Sequence, residues 1–333
     1  MYVESDVTAY PVVVSECDVM DCLNPVIIED PDYYEYNDWC RNHGRKDGIK
    51  TISVPCGYCE SCVYSQAQEW RVRLDEEMSV SLNAVFVTLT YNDSSLPFSR
   101  GTDINGDSVI CPCVSKRDVQ DFLKRLRFYY ADKYGYKGLR YFIVSEYGPT
   151  TLRPHYHGIL FNLPAFDSRN PKSLVEVSKL ISEKWDNGFV KVDLVNPERV
   201  GYVTKYLCST TNLPSGYVKP FRLMSTRPAI GISYLDRDEL VAWHKDGLRN
   251  FVPRGSYKLP MPRYYKRHIF DDDELLVIRQ LSDLRRQKFA QDELDKEPEL
   301  YREWCRGNDV RQNKISNFKR NFNRKYVKKR KDL

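Results

Sequence analysis

Two histidines stand one residue apart in the segment His155-Tyr156-His157. In a β-strand, residues i and i+2 point to the same face, so both imidazoles can converge on one divalent cation. Glu146 lies near the end of the preceding apolar segment, where its carboxylate can join them across a hairpin. Two imidazoles and one carboxylate leave coordination positions open, as Lewis-acid work on a phosphate requires. The alternative is a polar strand face without a metal. Arg153, just before the pair, is suited to contact a phosphate.

A second set of reactive side chains lies in residues 201–206, GYVTKY. On a helix, Tyr202 and Tyr206 share one face, one turn apart, and Lys205 is adjacent to Tyr202. A phenol with a pKa of about 10 is a weak nucleophile at neutral pH, and a nearby cation helps it attack a polarised phosphate. The spacing Y-x-x-K-Y recurs at residues 130–134, so the spacing alone does not identify a nucleophile. An ordinary aromatic stripe in the core is the alternative.

Three of the ten cysteines follow one another at two-residue gaps. They are Cys56, Cys59 and Cys62. The first residues lack the basic and apolar regions of a secretory signal, so we expect a reducing compartment and a metal site in place of disulfides. A closed zinc site takes four ligands, and Cys22 is our fourth candidate, with Cys40 and His43 as alternatives. An iron–sulfur site, for which the final Cys-Pro is missing, and reduced thiols beneath a helix start are the remaining interpretations.

Apolar periodicity predicts the elements that position these groups. Strands are predicted at 84–91, 139–146, 155–161 and 189–194, and helices at 60–78, 115–134, 173–185, 198–208, 236–246 and 271–306. The order β-α-β-β-α-β-α predicts an α+β fold with a split βαβ, ferredoxin-like and mostly antiparallel sheet flanked by helices. Residues 92–106 are predicted to form a polar loop.

Charge is unevenly distributed along the 333 residues, whose formal net charge is +5. Residues 1–40 hold ten acidic residues and no Lys or Arg, whereas residues 311–333 hold ten Lys or Arg and one acid. Such a basic tail suggests a polyanionic partner, and a solvated tail that keeps the protein soluble is the alternative. The chain has no apolar run long enough to span a membrane and no P-loop motif, which argues against a membrane protein and a P-loop helicase.

Composition and motifs divide the chain into four predicted segments. They are an acidic arm with the Cys-rich cluster and a helix (1–80), an α+β core (81–210), a mostly helical region (211–310) and a basic tail (311–333).

The motifs, taken together and in order, resemble those of the HUH endonucleases that start rolling-circle replication. FVTLTY at 86–91 resembles their first motif, RPHYHGILF at 153–161 their metal-binding motif, and YVTKY at 202–206 their third. With PCGYCESC at 55–62 and SEYG at 145–148, the resemblance narrows to the replication initiation proteins of the gokushovirus group of microviruses, over roughly residues 22–210.

The resemblance implies an HUH endonuclease fold and a site-specific nickase and ligase for origin DNA. It assigns Mg²⁺ or Mn²⁺ to His155 and His157, with Glu146 as the best-placed third ligand. It assigns Tyr202 as the nucleophile and Lys205 as the group that orients or neutralises the site. Attack would leave a 5′-phosphotyrosine and a free 3′-OH that primes a host polymerase.

A second tyrosine, Tyr206, is similar to that of the two-tyrosine initiators. It would allow a second transesterification that closes a unit-length circle.

The resemblance also implies partners and a location. We expect single-stranded and replicative-form viral DNA, a host helicase and a host polymerase as partners, no membrane, and the cytoplasm of a bacterial host. The candidate DNA contacts are Thr88, Thr90, Tyr91 and Arg153 in the core and Lys314, Lys319, Arg320, Arg324, Lys325, Lys328, Lys329 and Arg330 in the tail. Two other functions stay open: a zinc-stabilised nucleic-acid-binding or packaging protein without catalysis, and a phosphoryl transferase with His157 as its nucleophile.

Overall fold

The computed structural model describes residues 22–29, 51–102, 106–148, 150–195, 200–201, 203–204, 213, 216–279, 281–282 and 315–321. Its strands are β1 (Val26–Glu29), β2 (Thr51–Val54), β3 (Ala84–Tyr91), β4 (Phe98–Thr102), β5 (Ser108–Pro112), β6 (Arg140–Tyr147), β7 (Pro154–Phe161), β8 (Gly188–Leu194), β9 (Arg222–Met224), β10 (Phe251–Arg254) and β11 (Tyr257–Pro260). Its helices are α1 (Glu60–Val80), α2 (Lys116–Tyr134), α3 (Pro171–Trp185), α4 (Asp238–Asp246) and α5 (Arg263–Ile269), with a 3₁₀ turn at Ile232–Tyr234.

The central feature is a five-stranded sheet in the order β8-β3-β7-β6-β9. Every neighbouring pair in it is antiparallel. Strand β7 lies between β3 and β6, which α2 connects, and this is the split βαβ arrangement. The predicted α+β class, with a mostly antiparallel sheet and flanking helices, is therefore confirmed.

The two faces of this sheet pack against different helices. On one face, alternate residues of β3 such as Val87 and Leu89 join a core with Phe122 of α2 and Trp185 of α3. On the other face, a second core contains Phe86, Phe142 and Ile159 together with Leu74 of α1. Because strand side chains alternate between faces, each strand serves both cores.

Helix α2 begins and ends where its sequence predicts. The Ser115 hydroxyl accepts a hydrogen bond from the backbone N–H of Asp118, which confirms the predicted N-cap. Gly135 follows the last turn with φ of 62°, a left-handed conformation that glycine adopts without steric cost. An apolar stripe that includes Phe122 and Leu126 is fully buried between these ends.

The prediction of a loop over residues 92–106 is wrong. Strand β4 lies inside that range and pairs with β5 as a separate hairpin. Its residues alternate between exposed and partly exposed, so no apolar pattern announces the strand. A Cβ at Gly101 would overlap the Cα of Gly216, so the hairpin is held by a close backbone approach from a distant segment.

Beyond residue 210, the pattern is weak in the sequence but ordered elements are present. Strand β9 adds the edge strand beside β6, and a third core forms around Tyr234, Val252 and Tyr265. Residues 272–279, 281–282 and 315–321 are helical, and the remainder of the helix predicted at 271–306 lies outside the described residues. No helix in the described ranges is both long and apolar enough to cross a membrane.

Candidate active site and cysteine cluster

His157 lies at the centre of a hydrogen-bonded set on the sheet face that α1 covers. Its Nε2 is 3.1 Å from Oε1 of Glu146, and its Nδ1 is 3.1 Å from Oγ1 of Thr88. The ring stacks on Phe86 and only 7% of the residue is exposed. An ionised carboxylate only accepts hydrogen bonds, so the neutral ring donates through Nε2 to Glu146 and accepts at Nδ1 from the Thr88 hydroxyl.

His155 is held differently. Its Nδ1 is 2.7 Å from the backbone carbonyl of Arg153, which can only accept, so Nδ1 carries the proton and Nε2 carries the lone pair. A second partner that fixes the far nitrogen is what ligand histidines in metal sites have. Glu146 and His155 are register partners on neighbouring strands and point to the same face, as the sequence predicts.

The three residues fit a divalent cation in part. The 3.1 Å between Nε2 of His157 and Oε1 of Glu146 is close to the distance of about 3 Å between neighbouring ligands of six-coordinate Mg²⁺. The His155 ring is parallel to the His157 ring within 5°, with 6.5 Å between the ring centroids. A cation held by all three would draw the His155 ring toward the pair.

Residues that flank the predicted nucleophile pack on this same face. Val200 and Val203 are buried in the core that contains Phe86 and Ile159. Thr204 is buried as well. Tyr202, Lys205 and Tyr206 lie outside the described residues.

Arg71 of α1 is a basic residue at this site that sequence reasoning missed. Its Cζ would lie 4.0 Å from a Cβ at Gly201, the residue before Tyr202. The signal was available, because Arg71 is three residues before the fully buried Leu74 on a predicted helix, but the chain offers many such arginines.

The candidate DNA contacts of the core fall on both faces of the sheet. Thr88 and Thr90 share the face of the histidines, and the Thr90 hydroxyl donates to the Phe189 carbonyl. Arg153 pairs with the exposed Asp93 at 2.7 Å and donates to the Tyr91 carbonyl.

Tyr91 lies on the opposite face, 2% exposed, and its hydroxyl donates to Asp118. Burial, with the nearby Tyr156 hydroxyl and the Asp118 carboxylate, raises the pKa of Tyr91 far above its usual range. The structure therefore assigns Tyr91 to the core. Of the tail candidates, Lys319 and Arg320 lie in the described helix 315–321 and are exposed, and the other six lie outside the described residues.

The four predicted zinc ligands converge in space. Sγ of Cys22 is 3.7 Å from Sγ of Cys59, and Sγ of Cys56 is 4.0 Å from Sγ of Cys62. Within the described part of the chain, this is the one group whose three or more Cys, His, Asp or Glu ligand atoms all lie within 4.8 Å of one another. The alternatives Cys40 and His43 lie outside the described residues. A site able to hold a metal ion is therefore present at the predicted cysteines.

The electrostatics of the cluster are those of crowded thiols. Burial acts to raise the pKa of Cys59, but hydrogen bonds from the backbone N–H groups of Cys62 and Leu23 outweigh it and lower that pKa to about 6. Burial and the neighbouring sulfur of Cys59 raise the pKa of Cys62 to about 12. A cation at the centre would relieve this repulsion between thiolates.

Comparison with known proteins connects this chain to viral replication. A family model for replication-associated proteins of the ORF2 and gene 2 protein type matches residues 84–211, which contain the histidine pair and the segment 202–206. The replication-associated protein ORF2 of Spiroplasma virus 4 is 28% identical over 268 residues, or 75% of this chain and 80% of that protein. The replication-associated protein VP4 of Bdellovibrio phage phiMH2K is 27% identical over 229 residues, covering 66% of this chain and 68% of its own length.

A third relative matches a shorter part of the chain. The replication-associated protein ORF4 of Chlamydia phage 1 is 27% identical over 167 residues, or 47% of this chain and 38% of that protein. No solved structure gives a significant match. By these matches the chain belongs to the replication-associated proteins of the microvirus type.

Proposed function

We propose that this protein starts viral DNA replication as an HUH endonuclease that cuts and rejoins single-stranded DNA at an origin through a phosphotyrosine link. The observation that carries the proposal is the shared sheet face of His155, His157 and Glu146, against which the residues flanking Tyr202 pack. The family membership supports it, because the named relatives are replication-associated proteins.

The chain's own residues would prepare the scissile phosphate. His155 and His157 present Nε2 toward the site, and Glu146 adds a carboxylate oxygen. Mg²⁺ or Mn²⁺ bound there would supply Lewis-acid polarisation of a phosphate oxygen. Arg71 lies close enough to Gly201 to place a positive charge near the DNA backbone.

The bond changes follow from the nucleophile that we propose. The Tyr202 Oη forms a bond to phosphorus while the bond from phosphorus to the 3′-oxygen breaks. The phenol proton passes to solvent, and the leaving 3′-oxygen takes up a proton to become the 3′-OH. Lys205 would stabilise the phenolate, since a cation favours the charged form of its neighbour. Tyr206 would repeat the exchange to release and close a circle.

The proposal extends to partners and place. Single-stranded and replicative-form viral DNA would be the substrates, a host helicase and polymerase would act on the nicked product, and the reaction would take place in the cytoplasm of the bacterial host.

We predict that the protein, mixed with an origin-bearing single strand and Mn²⁺, forms a covalent protein–DNA adduct visible on a denaturing gel. The double variant Tyr202→Phe with Tyr206→Phe should lose the adduct, because no phenolate remains at the site. Tyr134→Phe is the matched control, since Tyr134 ends the other Y-x-x-K-Y segment and is 43% exposed. An adduct that persists in the double variant would contradict the tyrosine mechanism, and a phosphohistidine would indicate the transferase alternative.

The cysteine cluster favours one other function, a zinc-stabilised nucleic-acid-binding or packaging protein without catalysis. The same assay separates the two, because His155→Ala and His157→Ala should abolish the adduct of a nickase. In a protein that only binds DNA, these variants would leave DNA handling unchanged and the wild-type protein would give no adduct.

A further inference from the structure

We propose that Cys22, Cys56, Cys59 and Cys62 bind one Zn²⁺ ion in a closed site that fastens the N-terminal hairpin β1–β2 to the first turn of α1. This site lies outside the proposed active site and takes no part in the transesterification.

The sulfur positions match a single tetrahedral ion. With Zn–S bonds of about 2.3 Å, the edges of a tetrahedron of sulfurs measure about 3.8 Å. The Cys22–Cys59 distance of 3.7 Å and the Cys56–Cys62 distance of 4.0 Å lie on either side of that length, and all four sulfurs are within 4.8 Å of one another. A cluster of several irons and sulfides holds its thiolates farther apart, so the geometry favours one metal ion.

Backbone N–H groups surround the sulfurs as second partners. Leu23 N donates to Cys59 Sγ at 3.4 Å, and Cys56 N donates to Cys22 Sγ at 3.2 Å. Cys59 N donates to Cys56 Sγ at 3.3 Å. Such bonds orient ligating sulfurs and stabilise their negative charge, so the backbone is already arranged for thiolates.

The four ligands come from both elements that the site would join. Cys22 precedes β1 and Cys56 follows β2, so the open end of the hairpin supplies two ligands. Cys59 is the N-cap of α1 and Cys62 lies in its first turn, so the helix supplies the other two. Four protein ligands fill the coordination sphere of zinc, which makes the site structural.

The hairpin itself shows why a fastening is needed. All four side chains of β1 are exposed, and these include Val26, Ile27 and Ile28. An isolated two-stranded hairpin is marginal in water, and this one gains little from apolar burial. A bound metal would therefore be the main interaction that fixes the hairpin on α1.

The test measures the metal directly and does not depend on DNA cleavage. Protein purified without chelator should contain about one zinc per chain by elemental analysis. Replacement by Co²⁺ should give the visible bands of a tetrahedral thiolate site and a sulfur-to-cobalt charge-transfer band. Cys22→Ser and Cys59→Ser should each lower the zinc content at least twofold. The buried Cys111 and Cys113 are matched controls, and their Ser variants should keep the full content.

Protease sensitivity checks the structural role in the wild-type chain, without a variant that could misfold. Chelation of the purified protein should increase cleavage in residues 22–56, whereas the core should stay resistant. Iron with sulfide, a disulfide among these cysteines, an absence of metal, or equal metal loss in the Cys111→Ser control would each overturn the proposal.

Discussion

The two histidines of the candidate active site are held by partners of different chemistry. The carbonyl that faces Nδ1 of His155 fixes one tautomer. The Thr88 hydroxyl that faces Nδ1 of His157 can donate or accept, so it can follow the ring proton from Nε2 to Nδ1. That move is required before Nε2 of His157 can serve as a ligand, because this nitrogen now faces Glu146. Thr88 is thus a positioning residue in the proposed mechanism.

We predict that Thr88→Val weakens metal binding by about 10- to 100-fold, as loss of a ligand's outer partner typically does. Valine keeps the shape of threonine but offers Nδ1 no oxygen. The measurement is adduct formation as a function of Mn²⁺ concentration, whose midpoint should rise. Thr90→Val is the control, since Thr90 lies on the same strand and face but bonds to a backbone carbonyl of β8. An equal shift in both variants would contradict the role of Thr88.

The period of a strand determines how far these residues could be predicted. The alternation rule places His155, His157 and Glu146 on one face, and the structure confirms this. The same rule separates Thr88 from Tyr91, yet the motif as a whole suggests a single DNA-contacting unit. A contiguous motif on a strand serves both a site and a core, and Tyr91 belongs to the core.

Helix α1 is the element that connects the candidate site with the rest of the molecule. It begins at the cysteine cluster and its Leu74 reaches the core beneath the active face. Arg73 donates twice to the Ile230 carbonyl, at 3.0 and 2.8 Å. Glu77 accepts from Gly231 N and pairs with Arg140 of β6. The helix is therefore attached to the sheet through buried charges.

We predict that Glu77→Gln lowers the free energy of unfolding by about 3–5 kcal/mol, because it leaves the charge of Arg140 buried without its partner. The side chains of Glu77 and Arg140 are only 4% and 14% exposed, so solvent screens the pair little. Denaturant unfolding measures the change. Asp75→Asn is the control on the same helix, whose partner Arg254 is half exposed, and it should cost less than about 1 kcal/mol. Equal losses in the two variants would show that burial does not decide the effect.

Elements with their own apolar period were predictable, and elements held by distant contacts were not. The stripe of α2 and the buried run of β3 carry their structure in local sequence. Strand β9 has three residues and exists through its pairing with β6, and the β4–β5 hairpin meets Gly216 from far along the chain. Local propensity cannot indicate such pairings, because tertiary contacts supply their stability.

At the scale of the whole molecule, the basic tail and the cysteine cluster meet at α1. Phe318 of the helix 315–321 contacts Tyr64 in the second turn of α1, edge to face, with 6.3 Å between ring centroids. Cys59 and Cys62 lie in the turn before. This contact would hold at least one part of the basic tail near the hairpin, and deletion of the tail would remove packing together with charge.

Point substitutions within helix 315–321 separate these two effects and test the tail as a DNA contact. We predict that Lys319→Gln with Arg320→Gln weakens single-stranded DNA binding and reduces the slope of log affinity against log salt by up to about 1.4, which corresponds to two lost phosphate contacts. Both side chains are exposed, so the change should leave the fold intact. Phe318→Ala is the control, because it removes the contact with Tyr64 but no charge, and any loss of affinity should come without a change in slope. An unaltered salt slope in the double variant would contradict a direct contact between these two residues and DNA, and would leave the tail's charge as a solvating feature.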